Sequence, residues 1–366
     1  MKILYAGGGT MGSVSPLIAI HQKLITSYEL RVTSYNPLWL GTKSGVERSV
    51  VEKEGIEFKV IAAGKLRRYF DLRNLIDIFK IKLGFFQALA IIKKFKPDII
   101  LTAGSFVAVP VVMAGWFLRV PSIVHQQDVR PGLANKIMAK FATKITVALE
   151  KSLNDFPKNK VVFVGNPIRL SAFAPSIPKD IQPNWTTADR LKPLLLVIGG
   201  GTGALNLNKI VWNSLDKLSD ICNIIHITGK NKSNLDYTLL VTRYSSQYKS
   251  FEFLNDEIFS AMAQADLVIS RAGMSALTEL AYFKKPTIIV PIPNSHQEEN
   301  AEYFAERGAG IYLKQNELDN VRLVREIKKL LENENLRKEM GERMNEIFCD
   351  YGGEKIIQEI EKIAGK

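Results

Sequence analysis

The sequence predicts an α/β protein built from two doubly wound parallel-sheet domains that face each other across a cleft. Three observations predict it. A chain of 366 residues is long for one compact core. Short apolar runs ending in glycine turns recur along the chain, each followed by a helical stretch. The opening Ile3-Leu-Tyr-Ala-Gly-Gly-Gly-Thr10 is echoed by Leu194-Leu-Leu-Val-Ile-Gly-Gly-Gly-Thr-Gly-Ala204. Between the halves, Pro175, Pro178, Pro183 and Pro193 punctuate a linker. The expected division is therefore 1–169, a linker over 170–193, a second domain over 194–340, and helices over 341–366 that return to the first domain.

Composition narrows the partners. Apolar residues make up 46% and charged residues 23%, as in folded rather than disordered chains. The net charge of +12 favours an anionic partner: nucleic acid, a phosphorylated substrate or acidic lipid. Cys222 and Cys349 have no metal-like spacing and read as reduced packing residues of a cytosolic protein. Lys2–Ala6 is only a strand's length of apolar sequence before glycines, so no signal peptide is expected. No apolar run reaches the roughly 18 residues of a membrane span. The longest, Phe106–Leu118, contains Pro110 and Gly115, so a soluble or peripheral protein is expected.

Lys2–Ala6 reads as a buried strand, followed by a helix from about Ser15-Pro16, where proline suits the first turn. Gly7, Gly9 and Gly12 fit a dinucleotide fingerprint, but Asn36 stands where that site wants an acid. Trp39–Glu47 is a second strand-end turn. Residues 65–96 carry nine Lys or Arg and two Asp. One helical stripe there is Leu72, Leu75, Ile76, Phe79, Leu83 and Phe86; a second is Ile78, Ile81, Phe85, Leu89 and Ile92. One stripe can pack on the sheet. The other, ringed by Lys80, Lys82, Lys93 and Lys94, suits an anionic membrane surface or is buried with the lysines reaching outward. Pro97–Phe106 and Pro121–Gly132 are further strands with turns. His125 to Asp128 fall at a carboxyl end, where open α/β sheets bind ligands. Ile145–Ala148 and Val161–Val164 read as the last strands of this half, ending in Gly165-Asn-Pro-Ile-Arg169, whose arginine can face a phosphate.

In the second half, Ile224–Lys230 reads as a strand and turn, and Phe251–Asp256 leads into a helix. Ala265–Leu280 then joins a strand, a glycine turn and a helix for which Ser275 is the expected cap. Such a helix start can hold a diphosphate on backbone N–H groups, with Glu279 one turn on to accept ribose hydroxyls. The alternative is an ordinary strand–helix turn. Pro286–Pro293 is a buried strand. Gln297 and Asn300 beyond it suit a sugar's hydroxyls, while His296 can equally be part of a helix cap. No Asp-x-Asp pair, Walker A sequence or Gly-x-Ser-x-Gly elbow occurs. What remains suits a nucleoside diphosphate as ligand or leaving group.

These motifs resemble a known family. Residues 7–16, 41–47, 121–136, 165–169, 198–206, 265–280 and 296–301 run in the order seen in the MurG-type N-acetylglucosaminyltransferases of glycosyltransferase family 28. The most specific pieces are Ser270-Arg-Ala-Gly-Met-Ser-Ala-Leu-Thr-Glu279, Gly165-Asn-Pro-Ile-Arg169 and His296-Gln-Glu-Glu-Asn-Ala301. The resemblance covers nearly the whole chain and implies the GT-B fold, two Rossmann-like domains. It implies an inverting transfer of N-acetylglucosamine from UDP-N-acetylglucosamine to the 4-hydroxyl of an undecaprenyl-pyrophosphoryl muramoyl peptide. By motif position, Met274, Ser275, Ala276, Leu277, Thr278 and Glu279 line the diphosphate and ribose. Leu254 lies against the uracil, Gln297 reaches the sugar, and Arg169 the phosphate side. Gly201 and Thr202 contact the nucleotide, and Thr10, Met11, Gly12 and Asp128 border the sugar. No metal, cofactor or nucleic acid is implied. The stretch 72–96, with Trp116, matches the family's membrane patch, which implies a peripheral protein at the cytoplasmic face of the cell membrane.

The departures gather in the acceptor half. Ser13 stands where the family usually carries a histidine proposed as general base. The family's His-Glu-Gln-Asn reads His125-Gln-Gln-Asp128, and its Gly-Gly-Tyr reads Gly104-Ser-Phe106. His125 or Asp128 is then the expected proton acceptor. The competing readings are a related family 28 transferase acting on another lipid, a non-catalytic UDP-sugar binder, and, as an outsider, a dinucleotide oxidoreductase.

Overall fold

The structure, a computed structural model, describes residues 1–29, 35–43, 45, 47–64, 73–172, 192–199, 204–230, 232, 242–351 and 353–365. It divides into two compact units, Met1–Leu170 with Cys349–Lys366, and Ser171–Phe348.

The first unit is a seven-stranded parallel sheet: β1 (Lys2–Ala6), β2 (Asn36–Gly41), β3 (Glu57–Val60), β4 (Ile99–Thr102), β5 (Ser122–Gln126), β6 (Lys144–Val147) and β7 (Val161–Phe163). Their order is β3-β2-β1-β4-β5-β6-β7. Alternation along each strand feeds two cores, because successive side chains leave opposite faces. Leu4, Ala6, Leu38, Leu40 and Ile100 enter one; Ile3, Tyr5, Trp39, Ile99 and Leu101 enter the other. With both faces covered, the strands read as unbroken apolar runs. The helices are α1 (Ser15–Glu29), α2 (Glu47–Lys53), α3 (Arg73–Phe95), α4 (Ala108–Phe117) and α5 (Leu133–Phe141).

The second unit repeats the plan with β8 (Leu194–Ile198), β9 (Asn223–Ile227), β10 (Tyr248–Phe251), β11 (Leu267–Ser270), β12 (Thr287–Ile289) and β13 (Ile311–Tyr312). Its order is β10-β9-β8-β11-β12-β13, also parallel. The helices are α6 (Leu205–Trp212), α7 (Leu215–Ile221), α8 (Glu257–Gln264), α9 (Met274–Tyr282), α10 (His296–Ala305), α11 (Asn320–Leu331) and α12 (Glu334–Asn345). In both units the first strand is central, the next two lie to one side and the fourth to the other. The strand order therefore reverses beside β1 and beside β8, and ligands of such sheets sit at the carboxyl ends there.

The chain then returns. Helix α13 (Glu354–Ala364) packs Ile356, Ile357 and Ile360 into the core around Ile3 and Leu17. The return starts at Cys349 rather than at 341, since α12 stays whole within the second unit. The Asp350 carbonyl accepts the Asn166 N–H at 3.1 Å, and the Tyr351 carbonyl accepts that of Ile168 at 3.0 Å. Gly165, at φ +80°, lies so close to Asp350 that a Cβ would strike its backbone. The turn carrying Arg169 is thus clamped by the C-terminal segment. Of the expected linker, residues 173–191 lie outside the described residues.

No helix among the described residues is long and apolar enough to cross a membrane. Helix α3 has two different faces. Phe85, Leu89 and Ile92 pack on the sheet core, while Phe79 is 70% exposed and Phe86 65%, with Leu83 and Ile78 also exposed. Trp116 and Phe117, at the end of α4, are exposed as well. Leu72 lies outside the described residues.

Candidate active site

In the first unit, the turns after β1, β4 and β5 meet at the carboxyl ends of the strands. The Gly7–Gly12 turn leaves β1 and closes with a single 3-10 turn, Met11–Ser13. Trp39 Nε1 donates to the Gly7 carbonyl at 2.9 Å, and Ser105 Oγ donates to that of Gly8 at 2.7 Å. Gln127 Nε2 donates to the Gly12 carbonyl at 2.7 Å. The structure therefore brings Thr10, Met11 and Gly12 beside the β5 turn that carries Asp128. Thr10 and Gly12 are exposed, and Asp128 is half-buried. Gln126 orders that turn from within, donating to the Asp128 and Arg130 carbonyls and accepting from Asn135 Nδ2.

The two expected proton acceptors part here. His125 is fully buried between two side chains. Asn166 Oδ1, 2.9 Å away, can only accept, so Nε2 carries the proton. Nδ1 lies 2.9 Å from the Thr146 hydroxyl and accepts from it. Burial pushes the imidazole down to about 4, offset in part by Asn166. Both nitrogens are thus occupied, and the ring ties β5 to β6 and to the Asn166 turn; as a proton acceptor it is displaced by this geometry. Ser13 is buried too, its hydroxyl turned back at 3.4 Å toward the Gly8 and Thr10 carbonyls. Arg169 is half-buried at the end of the clamped turn.

In the second unit, β11 ends in Ser270 and α9 begins at Met274. Gly273 is the N-cap, in extended conformation, and as a glycine it brings no side chain of its own to close the helix start. Ser275, expected as the cap, lies inside the first turn. The first N–H groups of a helix have no partner in its own ladder and carry its positive end. Arg271, two residues before the cap, is buried. Its guanidinium donates to the Val290 and Pro291 carbonyls at 2.9 and 3.0 Å and to Gln315 Oε1 at 2.7 Å. These are neutral acceptors. Burial lowers the Arg271 pKa, yet an arginine stays charged, so a fixed positive charge backs the turn. In the sequence Arg271 reads as part of the turn that breaks the strand and of the motif Ser270–Glu279, with no role of its own.

Gln297 follows the Ser295 cap of α10, and its Oε1 accepts the Ile292 N–H at 3.2 Å. Its Nε2 is the nearest atom to the position a Cβ on Gly273 would take, at 3.9 Å. The structure thus places Gln297 at the start of α9. Asn300 is different: its side chain is buried and donates to the Ala272 carbonyl at 3.0 Å, so it holds the turn instead of facing a sugar. Met274, Leu277, Thr278 and Glu279 are buried, while Ser275 and Ala276 are half-buried at the helix end. Leu254 is half-buried beyond β10. Gly201 and Thr202 lie outside the described residues.

A buried network missed by the sequence reading steadies the neighbouring turns. His226 bridges the Tyr248 hydroxyl at 2.9 Å and Asn208 Oδ1 at 3.1 Å, and Asn208 Nδ2 donates to the Thr228 carbonyl. It binds the first turn of α6 to β9. No periodicity announces such pairs, because each partner comes from a different element.

Known proteins resemble the chain throughout. Residues 3–147 match the glycosyltransferase family 28 N-terminal domain, and residues 194–351 the family 28 C-terminal domain. The UDP-N-acetylglucosamine--N-acetylmuramyl-(pentapeptide) pyrophosphoryl-undecaprenol N-acetylglucosamine transferase of Clostridium botulinum strain Hall is 39% identical over 365 residues, 99% of either chain. The protein of the same name, numbered 2, from Bacillus cereus strain ATCC 10987 is 35% identical over 363 residues, 98% of this chain and 97% of its own. The crystal structure of Acinetobacter baumannii MurG superposes with a TM-score of 0.74 at 24% identity, covering 99% of both chains, and speaks for the fold.

Proposed function

The chain belongs to glycosyltransferase family 28, and from that membership we propose that it moves N-acetylglucosamine from UDP-N-acetylglucosamine to the 4-hydroxyl of an undecaprenyl-pyrophosphoryl muramoyl peptide, with inversion. The observation that carries the reading is the start of α9: a helix whose N-cap is a glycine, two residues after buried Arg271 and flanked by Gln297. Fixed N–H dipoles and a fixed cation stabilise the charge that gathers on a departing diphosphate. Glu279 takes the ribose hydroxyls, Gln297 the sugar, and Leu254 the uracil. Arg169 serves the phosphate side.

In the first unit Asp128 accepts the proton of the attacking hydroxyl. It is the half-exposed carboxylate of the β5 turn, beside Thr10–Gly12, while His125 and Ser13 are taken up by their own neighbours. The acceptor's lipid places the reaction at a membrane. The bare face of α3 with Trp116 and Phe117 supports peripheral attachment to the anionic cytoplasmic leaflet.

The test is transfer of labelled sugar from UDP-N-acetylglucosamine to a synthetic lipid-linked muramoyl pentapeptide. A disaccharide-lipid product is expected. Nucleotide-sugar binding without transfer to any lipid would leave a binding protein, and transfer only to a different lipid would leave a related transferase.

A further inference from the structure

Glu47 has no part in the chemistry above, yet its carboxylate is completely buried beneath the first glycine turn. Oε2 accepts the Gly9 N–H at 3.1 Å; Oε1 accepts the Thr42 N–H at 2.7 Å and the Thr42 hydroxyl at 2.5 Å. Its three partners among the described residues are neutral, and its neighbour Arg48 pairs with Glu52 instead. A buried carboxylate met only by neutral donors costs stability, which is seldom kept without another return. The surrounding chain is shaped to admit it. A Cβ on Gly8 or on Gly45 would collide with this carboxylate, so glycines of two separate strand-end turns are required by one side chain.

What it holds is the segment the substrates meet. Gly9 has φ +86°, a conformation glycine adopts at little cost, and its N–H is the one the carboxylate takes. Three residues on, Gln127 takes the Gly12 carbonyl. Thr10–Gly12 is therefore fastened at both ends, with Thr10 and Gly12 still exposed.

We infer that Glu47 is a positioning residue for the transfer: its carboxylate fixes the exposed Thr10–Gly12 segment without touching substrate. The inference rests on the proposed transfer and narrows what this turn receives. A glycine turn after a first strand commonly cradles phosphate on its N–H groups. Here one of those groups is already given to an anion, and a second anion above would meet like charge below. The turn suits the neutral hydroxyls of a sugar, which leaves the donor's diphosphate to the second unit.

Glu47→Gln keeps the shape but presents an NH2 where an acceptor is needed. Loss of about 20-fold or more in kcat is expected, of the size that misplacement near the chemistry produces. The KM for UDP-N-acetylglucosamine should stay within about twofold, with the thermal midpoint above the assay temperature. Gly45→Ala displaces the carboxylate without removing it and should give the same split. Glu52→Gln, exposed on the same helix, should match the wild type. The inference is overturned if either folded variant keeps its kcat, or if activity lost merely tracks the unfolded fraction. If the wild-type protein transfers nothing, the functional reading fails by itself. Amide exchange at Gly8–Gly12 then decides: about tenfold faster exchange in Glu47→Gln supports the brace, and an unchanged rate removes it.

Discussion

His125 and Asp128 stand three residues apart at one strand end, and their surroundings assign them opposite work. The imidazole is closed in by Thr146 and Asn166, and the carboxylate is half-open beside Thr10–Gly12. Asp128→Asn should lower kcat by about 10²-fold or more, the usual share of a general base, with binding of the nucleotide sugar retained in calorimetry. His125→Gln should keep the wild-type shape of the rate profile between about pH 5.5 and 8, because the ring is already neutral there. In the second unit, Glu279→Gln should raise the KM for UDP-N-acetylglucosamine about tenfold, the size of a lost charged hydrogen bond. The strand, turn and helix of Leu267–Tyr282 could be read because they form one local unit. Glu47 could not, since its meaning depends on Gly9 and Thr42, which lie on different turns. Asn300 was misread for a like reason: a polar side chain on a turn does not declare whether it faces a ligand or a carbonyl.

Among the elements, covered strands such as β1, β8 and β11 could be read from their apolar runs. The edge strands β3 and β13 could not. Glu57-Phe-Lys-Val60 alternates polar and apolar over only four residues, and Ile311-Tyr312 is too short for any pattern. Helix α3 could be read as two stripes, but not which stripe would face water; that depends on how the helix sits on the sheet. Replacing Phe79 and Phe86 by serine tests the exposed one. Each buried ring is worth about 2 kcal/mol, so co-sedimentation with anionic vesicles should fall by more than about tenfold, while the circular dichroism and thermal midpoint stay as they were. Unaltered vesicle binding would dismiss this face as the contact.

For the whole molecule, two transitions and a pH window follow. A chain ending at Phe348 loses Ile356, Ile357 and Ile360 from the first core. At about 1.5–3 kcal/mol each, that approaches the entire margin of a domain, roughly 5–15 kcal/mol. Calorimetry should show the first unit's transition lost or sharply lowered and the second unit's unchanged. Three buried histidines set the pH window. Burial pushes His21 and His125 down to about 4 and His226 to about 3. All three are neutral in the native chain and take protons near pH 6.5 once unfolded. Their contribution is complete above about pH 6.5 and shrinks as the pH falls toward 4, by about 1.4 kcal/mol per pH unit for each. At about pH 5.5, unfolding should bind one proton fewer in His125→Gln than in the wild type. The repeat of Ile3–Thr10 made the two sheets legible, and the helical tail was expected to return; where the return begins was not, because nothing within α12 itself says which core it joins.

That return has a consequence for how the protein is made. The first 170 residues leave the ribosome without α13, and the 178 residues of Ser171–Phe348 must be translated before it appears. At synthesis rates of about 5–20 residues per second, the opening sheet waits roughly 10–40 s for its closing helix. During synthesis the later unit can therefore finish first, and the nascent N-terminal half is the part that a ribosome-bound chaperone would have to shield.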